Sequence, residues 1–113
     1  ARSATPADVP IAVGADRLLA TAAGEGFAGG VVGLSNVVPD VMCEIYDAAA
    51  AGELERAHAI RERRVDPILD AVGEHGYVPL LKRLLADDGI VDEPTVKPPL
   101  VEAPASAVDG LRR

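Results

Sequence analysis

The apolar positions of the chain change their period twice. Two short apolar runs come first, Ile-Ala-Val at 11–13 and Val-Val-Gly-Leu at 31–34, and each ends in small or polar residues. Between them lies an alanine-rich stretch with helical spacing. That order predicts a β-α-β unit whose strands lie parallel. The first strand is expected over 11–13, ending at Gly14, and the second over about 30–34. The helix between them is expected over about 17–23, with Asp16 placed to cap it and Gly24 and Gly26 to stop it.

From Pro39 to about Asp87 the period is helical. Pro39 suits a first helical position and Asp40 the first turn. Val41, Ile45 and Ala48 or Ala49 form the buried stripe, and Gly52 ends the helix in a C-cap role. A longer helix is expected over 53–72, with a kink at 63–66 because Pro67 lies inside its pattern. Gly73 and Gly76 end it. A last helix is expected over 78–87, carrying Leu80, Leu81, Leu84 and Leu85, and Gly89 closes it. Prolines dominate from Glu93, which predicts an extended tail, with residues after Ala103 disordered.

Composition narrows the picture. At 113 residues the chain is one small domain or a piece of one. A parallel sheet needs cover on both faces, and two strands make little sheet, so the pattern reads as part of something larger. Aromatic residues are only 3%, so packing falls to Leu, Ile, Val and Ala. The net charge of −7 argues against nucleic acid or an anionic membrane as partner. No apolar run approaches the roughly 18 residues of a membrane span, and the start of the chain carries no signal-peptide pattern. The single cysteine, Cys43, fits a reducing compartment and a cytoplasmic location.

Several residues carry candidate chemistry. Gly14, at the end of a parallel strand, either permits a turn or lets backbone approach a ligand. Asp16 is either a helix N-cap or a ligand-facing carboxylate. His58 and Glu62 stand i, i+4 on one helix, but no third metal ligand accompanies them. The charged neighbours Glu55, Arg61 and Arg63 make a solvated face the simpler reading. Cys43 lies beside an apolar stripe and reads as a buried, inert thiol. Ser35 lacks the context of a nucleophile.

The order and spacing of these segments resemble the C-terminal part of the dihydrodipicolinate synthase / N-acetylneuraminate lyase family. Val-Gly-Ala-Asp (13–16) resembles the end of barrel strand seven. Gly29-Gly30-Val31-Val32 with Ser35-Asn36-Val37-Val38-Pro39 resembles strand eight and its exit. Gly52, Ala57, residues 79–82 and residues 97–100 resemble the helical extension and its closing proline segment. The resemblance runs from about Pro10 to Val101. It implies an α/β fold: the last two β/α units of a (β/α)8 TIM barrel over 11–51, and a helical extension over 52–92. Residues 1–10 would then be a tail or connecting loop and 93–113 a proline-rich extended tail. It also implies a Schiff-base, pyruvate-dependent aldolase or lyase, a homotetramer without metal or organic cofactor. Pyruvate or another 2-keto acid would be its substrate. The backbone at Gly14 and the carbonyl of Val31 would line the pyruvate pocket, and Asp16 would face the variable part of the substrate. Arg17 stands where the lyase branch has an acid, which argues against sialic acid. Dihydrodipicolinate synthases and 2-keto-3-deoxygluconate aldolases both fit, and residues 34–39 lean toward the sugar-acid branch.

The resemblance places the reactive lysine on strand six and a tyrosine relay on strand five, and neither matches any residue here. Lys82 falls on a helix and Lys97 in the proline tail. No catalytic residue is therefore expected in this chain, and no activity from it alone. A complete barrel needs about 200 residues or more, so the chain reads as a fragment completed by a missing N-terminal barrel segment or a second copy. The alternative is a non-catalytic, mostly helical protein-interaction module. An intact mass of the native protein discriminates between the two.

Overall fold

The computed structural model describes Pro6 and residues 8–111. Most of the expected N-terminal tail (residues 1–5 and 7) and the last two residues of the chain lie outside the described residues. The chain divides into two compact units, 1–62 and 63–113.

The first unit opens with β1 (Ala12–Val13) and a 3-10 turn, Asp16–Leu18, followed by α1 (Leu19–Gly24) and β2 (Gly29–Gly30). The two strands pair in parallel, with Ala12 opposite Gly29 and Val13 opposite Gly30. The β-α-β unit is therefore present, but the second strand is not where the apolar run suggested. It ends at Gly30, and 33–36 form a 3-10 turn, Gly33–Asn36. Val31 still donates its N–H to the Val13 carbonyl at 2.9 Å, and Val32 remains extended. The chain then turns, and the Leu34 N–H is held by a side chain from the other strand's exit. An apolar run reads alike as strand or as buried turn.

Helix α2 (Pro39–Ala50) buries Val41, Met42, Ile45, Ala48 and Ala49, an i, i+1, i+4, i+7, i+8 stripe. It packs on α1 and on α3 (Leu54–Ile60). The alanines Ala20, Ala22 and Ala23 of α1, with Ala57 of α3, are all buried, so the helices meet through small side chains. Gly52, at φ +88°, closes α2. The Glu53 N–H reaches the Ala48 carbonyl at 2.8 Å and the Gly52 N–H reaches Ala49 at 3.1 Å, a Schellman pair that needs the left-handed residue.

A π-helical turn, Arg61–Val65, follows α3 in sequence, and α4 (Asp66–His75) comes next. The expected irregularity at 63–66 thus takes the form of a π turn. Pro67 has no N–H for the carbonyl four residues back, and its ring crowds that carbonyl. A wider turn accommodates both effects. α4 runs through Gly73 to His75, three residues beyond the expected end at Val72, and Gly76 at φ +93° separates it from α5 (Tyr77–Asp87).

In the second unit α4 packs on α5, and both meet a last 3-10 turn, Ala105–Val108. The expectation of disorder after Ala103 is corrected here. Ala103 and Val108 are buried, and the Arg83 guanidinium donates through Nε to the Ala103 carbonyl at 2.9 Å. Lys82 Nζ donates to the Thr95 carbonyl at 2.9 Å, so adjacent residues of α5 hold the proline-rich segment at two points. Gly89, at φ +76°, ends α5 with a second Schellman pair, Ile90 N–H to Leu85 and Gly89 N–H to Ala86.

Candidate functional site

The expected site residues Gly14, Asp16 and Val31 all lie where β1 and β2 end. Because Val13 pairs with Gly30, the register sets Gly14 beside Val31, one step past the paired residues. Gly14 is exposed, and a Cβ built on it meets nothing within 4 Å. Its small size is therefore not required by packing among the described residues. Val31 is 82% exposed.

Asp16 departs from its expected role as a cap. The residue in the N-cap position of the 3-10 turn is Ala15, which makes no side-chain capping bond, and Asp16 sits inside the turn. Its Oδ1 instead accepts the Leu34 N–H at 3.1 Å, joining the exits of the two strands across 18 residues of sequence. Leu34 is fully buried, and its amide belongs to the first turn of a helix, where donors lack helical partners.

A second tether was not legible beforehand. The Tyr46 hydroxyl on α2 lies 3.0 Å from the carbonyls of both Phe27 and Ala28 and shares its one proton between them. This pins the segment that leads into β2 against α2. A tyrosine one position from the buried Ile45 was the signal, since a ring at a helix edge presents its hydroxyl to a neighbouring backbone.

Beside β2 the first unit has a hollow of about 230 Å³, lined among others by Gly29, Gly30, Met42, Cys43, Tyr46 and Asp47. A shallower depression of about 470 Å³ along α2 is lined by Asp40, Cys43, Glu44, Asp47, Glu53 and Arg56. Neither contains Gly14, Asp16 or Val31. The expectation of a buried Cys43 is corrected: the thiol is exposed and borders both hollows. Arg56 lies 3.3 Å from Glu44 and 3.6 Å from Glu53 in exposed pairs, which contribute little in water.

His58 and Glu62 do not form a ligand set, and no group of three or more His, Cys, Asp or Glu suited to a metal occurs among the described residues. No described helix is long and apolar enough to cross a membrane. Neither lysine stands at a strand end: Lys82 is bonded to Thr95, and Lys97 lies exposed in the tail.

The sequence profile of the dihydrodipicolinate synthetase family matches residues 1–113. The chain belongs to that family. Among curated relatives, a 4-hydroxy-tetrahydrodipicolinate synthase of Corynebacterium aurimucosum is 32% identical over 87 residues. The alignment covers 75% of this chain and 28% of that enzyme, so the chain spans under a third of its family relative. No solved structure matches. As a dihydrodipicolinate synthetase family member, the chain carries a parallel β-α-β unit followed by helices.

Proposed function

We propose that this chain forms the C-terminal part of a (β/α)8 barrel in a Schiff-base, pyruvate-dependent aldolase or synthase. In this reading β1, α1, β2 and α2 are its last two β/α units. The later helices form the extension. The observation that carries the reading is the parallel pairing of β1 with β2, with Gly14, Asp16 and Val31 at the strand ends. In a (β/α)8 barrel those C-terminal strand ends are the face that holds chemistry.

The backbone at Gly14 and the carbonyl of Val31 line the pyruvate pocket. An uncharged lysine amine attacks the pyruvate ketone and expels water, giving an iminium that loses a proton to form the nucleophilic enamine. That lysine comes from outside residues 1–113. Supporting this assignment, Lys82 is spent on the Thr95 carbonyl and Lys97 lies far along the chain from the strand ends. The nitrogen itself serves as electron sink, so the reaction calls for no metal. The assembled enzyme works in the cytoplasm as a homo-oligomer.

Borohydride reduction in the presence of pyruvate tests this reading. Protein purified from its own source should gain a pyruvate adduct on a lysine other than Lys82 and Lys97. An adduct on either of those lysines, or none at all, contradicts it.

A further inference from the structure

We propose that Asp16 is a positioning residue that keeps the Val31 carbonyl available to a ligand. The argument rests on the proposed role of that carbonyl in the pyruvate pocket. In a 3-10 turn each N–H bonds the carbonyl three residues back. The Ser35 N–H follows that rule and donates to Val32 at 3.2 Å. By the same rule the Leu34 N–H would take the Val31 carbonyl. It donates instead to Asp16 Oδ1 at 3.1 Å. Among the described residues no backbone N–H donates to the Val31 carbonyl. The carboxylate thus diverts one donor, and the turn begins one residue later than it otherwise would.

The diversion has a geometric consequence. Val31 stays tied to β1 by its own N–H, which donates to the Val13 carbonyl at 2.9 Å, and Val32 after it is extended. If Leu34 bonded Val31, the carbonyl would be drawn into the turn and away from the strand exit. Leu34 is fully buried, so its amide must keep some acceptor. Removing the carboxylate therefore favours collapse of the Leu34 N–H onto Val31. Asp16 acts through Leu34 on Val31 and needs no contact with substrate. An acceptor of the right length suffices, and the negative charge is not the essential property.

Three substitutions separate this role from direct substrate binding. Asp16→Asn keeps an oxygen at the position of Oδ1, Asp16→Ala removes it, and Asp16→Glu misplaces it. On the 113-residue chain, amide exchange at Leu34 should rise about tenfold or more in Asp16→Ala and stay near wild type in Asp16→Asn. In the native protein, Asp16→Ala and Asp16→Glu should raise KM for pyruvate about tenfold, with a smaller change in kcat. Asp16→Asn should restore KM. If Asp16→Asn loses pyruvate affinity as fully as Asp16→Ala while Leu34 stays protected, the carboxylate contacts substrate by charge and the inference is overturned. Unchanged Leu34 exchange in Asp16→Ala overturns it as well. A wild-type protein that forms no pyruvate adduct refutes the proposed function itself, a result distinct from both.

Discussion

A side chain at Gly30 would run into Leu19: a Cβ built there lies 2.7 Å from the Leu19 Cδ1. This contact sets how closely α1 lies on β2. Leu19 is only 4% exposed, so it has little room to turn aside. Gly30→Ala should therefore destabilise the chain by about 1–3 kcal/mol. Gly29→Ala, which meets nothing within 4 Å, should stay within about 0.5 kcal/mol. Denaturant midpoints of the two variants check the contrast, and equal midpoints would contradict it.

Gly24 offers a second comparison. A Cβ there lies 2.9 Å from the Leu54 Cδ2, nearly as close, but Leu54 is 40% exposed and its tip can swing outward. Gly24→Ala should cost less than Gly30→Ala, because its neighbour yields. Thermal melts of both variants under one condition decide the order.

Tyr46→Phe removes the hydroxyl shared by the Phe27 and Ala28 carbonyls and nothing else. The expected loss is about 0.5–1.5 kcal/mol. Its local signature is faster exchange of the Ala28 amide, which donates to the Ile11 carbonyl at 2.8 Å on entry to β2. Unchanged exchange at Ala28 would mean that the strand entry is held by packing alone.

How much of this was legible in the sequence follows from the range of each interaction. Local signals read correctly. The stripe of α2 and the closures at Gly52 and Gly89 depend on residues within one or two turns. The parallel pairing was also legible, since two apolar runs about one helix apart admit few other arrangements. The place of the second strand was not. The run 31–34 has strand-like residues, yet the paired strand ends at Gly30 and the run passes into a 3-10 turn whose Leu34 N–H is held by the distant Asp16 carboxylate. The cap alternative for Asp16 failed for the same reason, because a cap is a local role and the partner of its carboxylate lies 18 residues away. Cys43 is a different case. At about 100° per residue it stands well round the helix from Val41 and Ile45, so its exposure was readable. The strand-end location of Gly14 was readable from the β-α-β pattern and that of Val31 was not, whereas the chemistry of both rests on the family resemblance.

The order of the tail is testable through Arg83. Its guanidinium donates to the Ala103 carbonyl at 2.9 Å and lies 3.4 Å from Glu102 Oε1. A planar fork makes both contacts at once, and an ammonium does not. Arg83→Ala and Arg83→Lys should both speed limited proteolysis between Leu100 and Val108 severalfold, Ala more than Lys. Cleavage there at the wild-type rate would show that burial of Ala103 and Val108 alone secures the segment.

The central claim is that the exits of β1 and β2 form part of a pyruvate pocket. A structure of the native protein with pyruvate trapped by borohydride tests it most directly. The predicted result is a three-carbon adduct against the backbone of Gly14 and the carbonyl of Val31, with the Leu34 N–H still on Asp16. An adduct seated instead in the hollow lined by Cys43 and Tyr46, or away from both strand ends, would contradict the account.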